Sequence, residues 1–201
     1  MWQGALALIP SFVLTVLIGG AYASYLQQRS WRHQNQTRLD EEERKQAGEI
    51  CTALAQLLDK RRYRTVRLLQ AIEDRARGEG SDDELGERRS EYEQALAEWN
   101  DQLTTRLVSV EVYFGGDAYD QLDSIDRRFQ EADSGIDKLY RQLTAAVDTA
   151  VGIDTDDVAA MAKLLDVVRE EAHELGFGMM LHIRRGEIGH AAHYPRSAAG
   201  H

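Results

Sequence analysis

The chain has 201 residues, of which 43% are hydrophobic and 29% charged, enough for one membrane segment and one domain of ordinary size. Its formal net charge of −10 argues against a general nucleic-acid binder, because contacts to phosphate need a basic face. A single cysteine, Cys51, excludes an intramolecular disulfide, and the absence of proline between Pro10 and Pro195 favours long helices.

The first element is an apolar segment. Residues 2–25 carry no charged side chain, and Trp2 and Tyr25 lie near its two ends, where interfacial aromatic residues are expected. About 20 apolar residues in a helix cross a bilayer, so the sequence predicts a transmembrane anchor over residues 1–25. The alternative is a signal peptide cleaved after residues 21–23, although no basic residue precedes the apolar run.

Positive charge flanks this segment on one side only. Arg29, Arg32 and Arg38 follow it before the first acid, Asp40, and no Lys or Arg precedes it. Positively charged flanks stay in the cytoplasm, so we expect the N-terminus outside, the remainder inside and these three arginines near the lipid. Arginine outnumbers lysine 20 to 4, which is typical of GC-rich coding sequence, and on that ground we expect a bacterial inner membrane.

Two helices are predicted in the first half of the chain. The first continues from the anchor to about residue 77, and its residues 26–44 form a charged stalk. The second covers residues 82–114, with Ser81 as N-cap. Gly115–Gly116 then breaks it, and Asp117 is the expected cap of the next helix.

Two more helices are predicted in the second half. The third covers residues 118–151, and its apolar residues recur at alternating steps of three and four, as in coiled coils. Gly135 is expected on its exposed side. The fourth begins after Asp154–Thr155 and ends either near Leu175 or near Arg185, since Gly176 and Gly178 make its end uncertain.

Narrow apolar stripes and short connections together predict an all-α fold. An N-terminal transmembrane helix continues into an antiparallel, coiled-coil-like four-helix bundle over residues 45–185, and a flexible tail follows over residues 186–201. In this up-down-up-down order the fourth helix returns toward the membrane. Arg184 and Arg185 are therefore expected to face the same lipid surface as the three arginines after the anchor.

The sequence has few motifs that would indicate catalysis, cofactor binding or a metal site. The sequence contains no nucleophile elbow and no phosphate-binding loop, so we expect neither catalysis nor a cofactor. Glu170 and His173 form a Glu-x-x-His pair, which is half of the di-iron pattern of helical bundles, but no second copy exists. These two residues are the only candidates for a metal site. We favour the interpretation that His173 is an ordinary exposed histidine.

The densest basic cluster contains Arg61, Arg64 and Arg67. It is either a site for an acidic partner or nucleic acid, or a set of ion pairs between helices. We favour interhelix contacts, because residues 82–174 carry 24 acidic and 9 basic side chains. Arg61 lies near the apolar stripe, where a partly buried ion pair would fix the register of the helices.

The expected function is a membrane-anchored scaffold or interaction module without catalysis, which contacts the lipid bilayer and binds a protein partner or itself. Nucleic acid is not expected. The alternative is a sensory or regulatory component, since a helix that runs from bilayer into bundle can transmit a shift. An enzyme would need a polar cavity lined by inward acids or histidines, and the stripes offer almost none.

Overall fold

The computed structural model describes the backbone of residues 5–146 and 155–189 and the side chains of residues 37–145 and 155–189. Within these ranges the chain contains four α-helices and no strand. They are α1 (Ala5–Ala76), α2 (Asp82–Phe114), α3 (Gly116–Ala146) and α4 (Thr155–Arg185). The prediction of an all-α fold with four helices is confirmed.

The chain divides into two compact units, residues 1–43 and residues 44–201. In the first unit, Arg38 forms an exposed ion pair with Glu42, one helical turn away, at 3.6 Å. No helix among the residues with described side chains is both long and apolar enough to cross a membrane. The predicted anchor, residues 1–25, lies outside those residues.

In the connection between α1 and α2, a glycine ends the first helix and a serine begins the second. Gly78 adopts a φ of +80°, and the N–H of Glu79 donates to the carbonyl of Asp74 at 2.9 Å. This is the Schellman arrangement, in which a left-handed residue lets the chain satisfy the last carbonyls of a helix. Ser81 then caps α2, since its Oγ accepts the N–H of Glu84 at 3.1 Å. The predicted N-cap is confirmed.

A single residue, Gly115 with a φ of +86°, separates α2 from α3. Helix α3 therefore begins at Gly116, and the prediction that Asp117 caps it is wrong, because Asp117 already lies in the first turn. The predicted end of α3 at residue 151 lies outside the described residues, and so does Asp154 of the pair after which the sequence predicts the start of α4. The other member of that pair, Thr155, is already the first residue of α4.

Helix α4 runs to Arg185, which decides between the two ends that the sequence allowed. It closes with the same Schellman arrangement at Gly186, whose φ is +71°. Beyond it, Ile188 is buried and the N–H of Gly189 donates to the carbonyl of Tyr113 at 2.9 Å. Ile188 and Gly189, which the sequence assigns to the flexible tail, thus pack against the bundle.

Polar pairs between consecutive helices establish the topology. Residue numbers rise along one helix as they fall along the next, so each pair of neighbours is antiparallel, in an up-down-up-down order. These pairs are Gln46–Tyr113 and Arg64–Glu91 between α1 and α2, Trp99–Asp126 and Arg89–Asp137 between α2 and α3, and Arg128–Glu171 and Lys138–Asp157 between α3 and α4.

The core follows the apolar stripes. All six stripe residues of α3 from Leu122 to Leu139 are buried, and they face buried Leu, Ile, Trp and Val side chains of the other helices. Burial of each large aliphatic side chain contributes about 1.5–3 kcal/mol. The buried stripe residues of α3 are Leu122, Ile125, Phe129, Ala132, Ile136 and Leu139.

Gly135 marks the close approach of α3 and α4. A Cβ atom at this position would lie 2.2 Å from Sδ of Met161. The prediction that Gly135 lies on the exposed side of α3 is therefore wrong. Because glycine has no side chain, α3 leaves space at this position for the Met161 side chain of α4.

Gly135→Leu should lower the free energy of unfolding by about 1–3 kcal/mol, because the added side chain overpacks the contact with Met161. Gly86→Leu is the matched control, since Gly86 is also helical but a Cβ there meets nothing within 4 Å. It should raise stability by about 0.5–1 kcal/mol through helix propensity. Urea unfolding followed by circular dichroism measures both, and equal effects would contradict the close approach.

Candidate functional site

A charged residue lies in the middle of the bundle. Arg61 projects from the core side of α1 and is only 2% exposed. Its Nη1 lies 3.1 Å from Oδ1 of Asp126, and its Nη2 lies 2.7 Å from Oδ2 of Asp133. Both acids belong to α3, so this ion pair joins two helices that are not consecutive in the chain.

Two aromatic rings enclose the same guanidinium. Its central carbon lies 4.8 Å from the ring centroid of Trp99 and 4.3 Å from that of Phe129. Trp99 also donates its indole N–H to Oδ1 of Asp126 at 2.7 Å. A planar cation between ring faces is stabilised by cation–π attraction. We call Arg61, Trp99, Asp126, Phe129 and Asp133 the Arg61 centre.

Neighbouring polar groups complete the Arg61 centre. Gln130 donates to Oδ2 of Asp126 at 2.7 Å, and the buried Thr65 hydroxyl donates to the carbonyl of Arg61 at 2.8 Å. Burial, reinforced by the negative charge of Asp133, raises the pKa of Tyr92 far above its usual range. Its surroundings therefore favour the neutral hydroxyl over the phenolate.

The other members of the basic cluster face acids as well. Nη1 of Arg64 lies 2.6 Å from Oε2 of Glu91 on α2. Lys60 forms an ion pair with Glu98, which also belongs to α2. Arg67 lines a polar cleft of about 340 Å³ together with acidic side chains of α1 and α2. The structure thus places Arg61, Arg64 and Arg67 against the acidic helices.

A second feature is a groove of about 450 Å³ between α1 and α4. Cys51 and Leu58 of α1 and Val168 and Ala172 of α4 contribute its apolar surface. The side chain of Phe177, which is 66% exposed, stands at the edge of the groove. We call this cleft the α1–α4 groove.

Small residues keep the groove open, and charged residues contribute to its lining. A Cβ on Gly176 would meet nothing within 4 Å, so the wall of α4 is open there. Asp59, Arg62 and Arg169 add charges of both signs to the lining. The sequence alone does not predict this groove, because Gly176 is interpreted there only as a possible end of the fourth helix. A glycine inside an otherwise amphipathic helix is the feature that could have indicated an open space beside α4.

Cys51 contributes to the groove a thiol whose surroundings disfavour the reactive thiolate. The residue is 6% exposed, and burial raises the pKa of its thiol above the usual value. A raised pKa lowers the fraction of thiolate, which is the nucleophilic form. Its place on the apolar stripe of α1 therefore suits packing.

The metal candidates do not converge. Glu170 and His173 are both exposed on α4, and His173 lies at the groove. The described part of the chain contains no group of three or more His, Cys, Asp or Glu side chains placed to hold a metal ion.

The arginines expected at the membrane fall into three groups. Arg29 and Arg32 lie outside the residues with described side chains. Arg38 is exposed and pairs with Glu42. Arg184 and Arg185 are exposed in the last turn of α4, and their contact with lipid stays a prediction.

Comparison of the chain with protein-family models, with curated proteins and with solved structures gave no match. What the two features can do follows from their residues. The Arg61 centre is filled by its own side chains and ties α1, α2 and α3 together. The α1–α4 groove is open and apolar with charged edges, the kind of surface that binds a protein or an apolar ligand.

Arg61→Ala should lower the free energy of unfolding by about 3–5 kcal/mol, because two carboxylates would stay in the core without their cation. Lys60→Ala is the neighbouring control, since its ion pair is exposed, and it should cost less than about 1 kcal/mol. Denaturant unfolding of both variants measures the difference.

The combined variant Arg61→Leu, Asp126→Asn and Asp133→Asn should recover most of the loss, since it removes the buried charges together. Equal stability of Arg61→Ala and Lys60→Ala would show that the Arg61 centre does not hold the helices.

Proposed function

We propose that this protein is a membrane-anchored helical scaffold without catalysis, whose bundle binds another protein through the α1–α4 groove. One observation carries the proposal. Phe177 and Met180 are 66% and 55% exposed at the edge of an apolar groove. Large apolar side chains next to a concave apolar surface favour burial by a partner, since their contact with water is unfavourable.

The proposed anchor is residues 1–25, supported by their uncharged, apolar sequence and by the arginines that follow. The same flanking charges support an orientation with the N-terminus outside and the bundle in the cytoplasm. The excess of arginine over lysine supports a bacterial inner membrane. A bundle fixed by the Arg61 centre suits a scaffold, because a rigid body holds a partner at a defined position.

A second candidate is a sensory or regulatory component that couples a ligand to the bilayer. The volume of the α1–α4 groove, about 450 Å³, falls in the range of small-molecule sites, which is about 300–1,000 Å³. A reproducible thermal shift with one class of apolar ligand would favour this candidate over the scaffold.

The anchor is tested by extraction of membranes with alkaline carbonate. The full chain should stay in the pellet, because a helix across the lipid is held by its apolar surface and not by charge. A variant without residues 1–25 should move to the supernatant and keep its helical circular dichroism. A mature protein that begins near Ser24 and stays in the supernatant would contradict the anchor.

The groove is tested by a photo-crosslinking amino acid placed at position 177 or 108 in native membranes. Val108 is a matched control, since it is 54% exposed but lies on α2, outside the groove. A discrete protein adduct should form from position 177 and be much weaker from position 108. Equal adducts from both positions would remove the support for the groove as the binding surface.

A further inference from the structure

We infer that residues 186–189 form a strap that locks one end of the bundle. Release of the strap loosens the part of α1 at that end, residues 44–50, while the middle of the bundle stays folded. We call residues 44–50 the entry segment of α1. The inference concerns residues of the second compact unit and does not depend on the anchor or on the α1–α4 groove.

The strap crosses the end of the bundle from one corner to the opposite one. Consecutive helices are neighbours and α1 borders α4 at the groove, so α2 and α4 lie diagonally opposite. The strap leaves α4 at Gly186, and the N–H of Gly189 donates to the carbonyl of Tyr113, in the last turn of α2, at 2.9 Å. Both glycines have positive φ, +71° and +54°, which lets so short a segment change direction.

The strap completes this end of the bundle in two ways. The last four carbonyls of a helix have no partner within it, and Gly189 supplies a donor to one of them on α2. Ile188 is only 3% exposed and belongs to the same buried cluster as the rest of the core. Glu187 between them and α4 is exposed. The strap is thus held to the other helices chiefly by one buried side chain and one backbone hydrogen bond.

Tyr113 links the strap to α1. Its carbonyl accepts the N–H of Gly189, and its hydroxyl donates to Gln46 in the entry segment. Arg44 lies at the other end of the strap, because a Cβ on Gly186 would be 3.1 Å from Nη2 of the arginine. Both ends of the strap therefore border the entry segment.

This attachment favours a local opening. Parts of a fold that few buried apolar contacts hold can open while the remainder stays folded. Arg61 lies fifteen residues beyond Gln46 on α1, which is about 22 Å along a helix. The Arg61 centre can therefore hold the middle of the bundle while the strap is open. Since residues 190–201 follow the strap directly, a change at the C-terminus would reach α1 by this route.

Hydrogen exchange of the full chain in detergent, followed by mass spectrometry of its peptides, tests the lock. Ile188→Asp should open the strap, because a carboxylate without a partner is disfavoured in the core. Exchange should become at least about tenfold faster in the entry segment and in the last turn of α2, and should stay within about twofold at the Arg61 centre. Glu187→Ala is the control within the strap, since its side chain is exposed, and it should change neither region by more than about twofold.

Ile188→Ala keeps the test independent of one severe variant. It removes most of the apolar contact without adding a charge, so the same peptides should exchange faster by a smaller factor. Equal acceleration of all peptides in both Ile188 variants would make this residue an ordinary part of the core and overturn the lock. Unchanged exchange of the entry segment in both would overturn it as well.

Tyr113→Phe tests the link from the opposite direction. It removes the hydroxyl that bonds Gln46 but keeps the carbonyl that accepts Gly189. Exchange of the strap should nevertheless become roughly threefold faster, because coupling between two sites is reciprocal. Tyr63→Phe is the control, an exposed tyrosine on α1 outside the entry segment, and it should leave the strap unchanged. Equal exchange of the strap in the two tyrosine variants would contradict the link through Tyr113.

Discussion

Arg61 carries its positive charge into an apolar core, where water cannot solvate it. A buried cation is tolerated only when anions and hydrogen-bond acceptors surround it, because the desolvation penalty otherwise exceeds any gain from packing. Asp126 and Asp133 supply the anions, and Trp99 adds a ring face and an indole N–H. Repeating apolar stripes alone would allow helices to slide by one heptad. A single charged layer distinguishes the correct register from the others.

The openness of the groove depends on how the remaining helix packs. Helix α4 approaches α3 closely, because Gly135 leaves space for Met161. On its other side it faces α1 across small residues, among them Ala55 and Gly176, which do not fill the space between the helices. The bundle therefore combines a closely packed interior with an open groove between α1 and α4, and Phe177 and Met180 are exposed to water beside this groove.

Local features of the fold could be predicted from the sequence, because they depend on neighbouring residues. Ser81 caps α2, and the three-and-four spacing of α3 gives its buried face. Tertiary features could not be predicted in the same way. Gly135 and Gly176 are both helical glycines, yet one touches Met161 and the other borders open space. The two acids that meet Arg61 depend on the rotation and height of α3, which periodicity leaves undetermined.

The composition of the Arg61 centre has a consequence for evolution. One cation and two anions occupy three positions on two helices, and Trp99 on a third donates to one of the anions. Loss of any one charge strands the others in the core, so single replacements are disfavoured and compensating ones are not. Relatives of this chain should therefore vary at positions 61, 126 and 133 as a set. Such covariation would identify distant members by three coupled positions after the surface sequence has diverged.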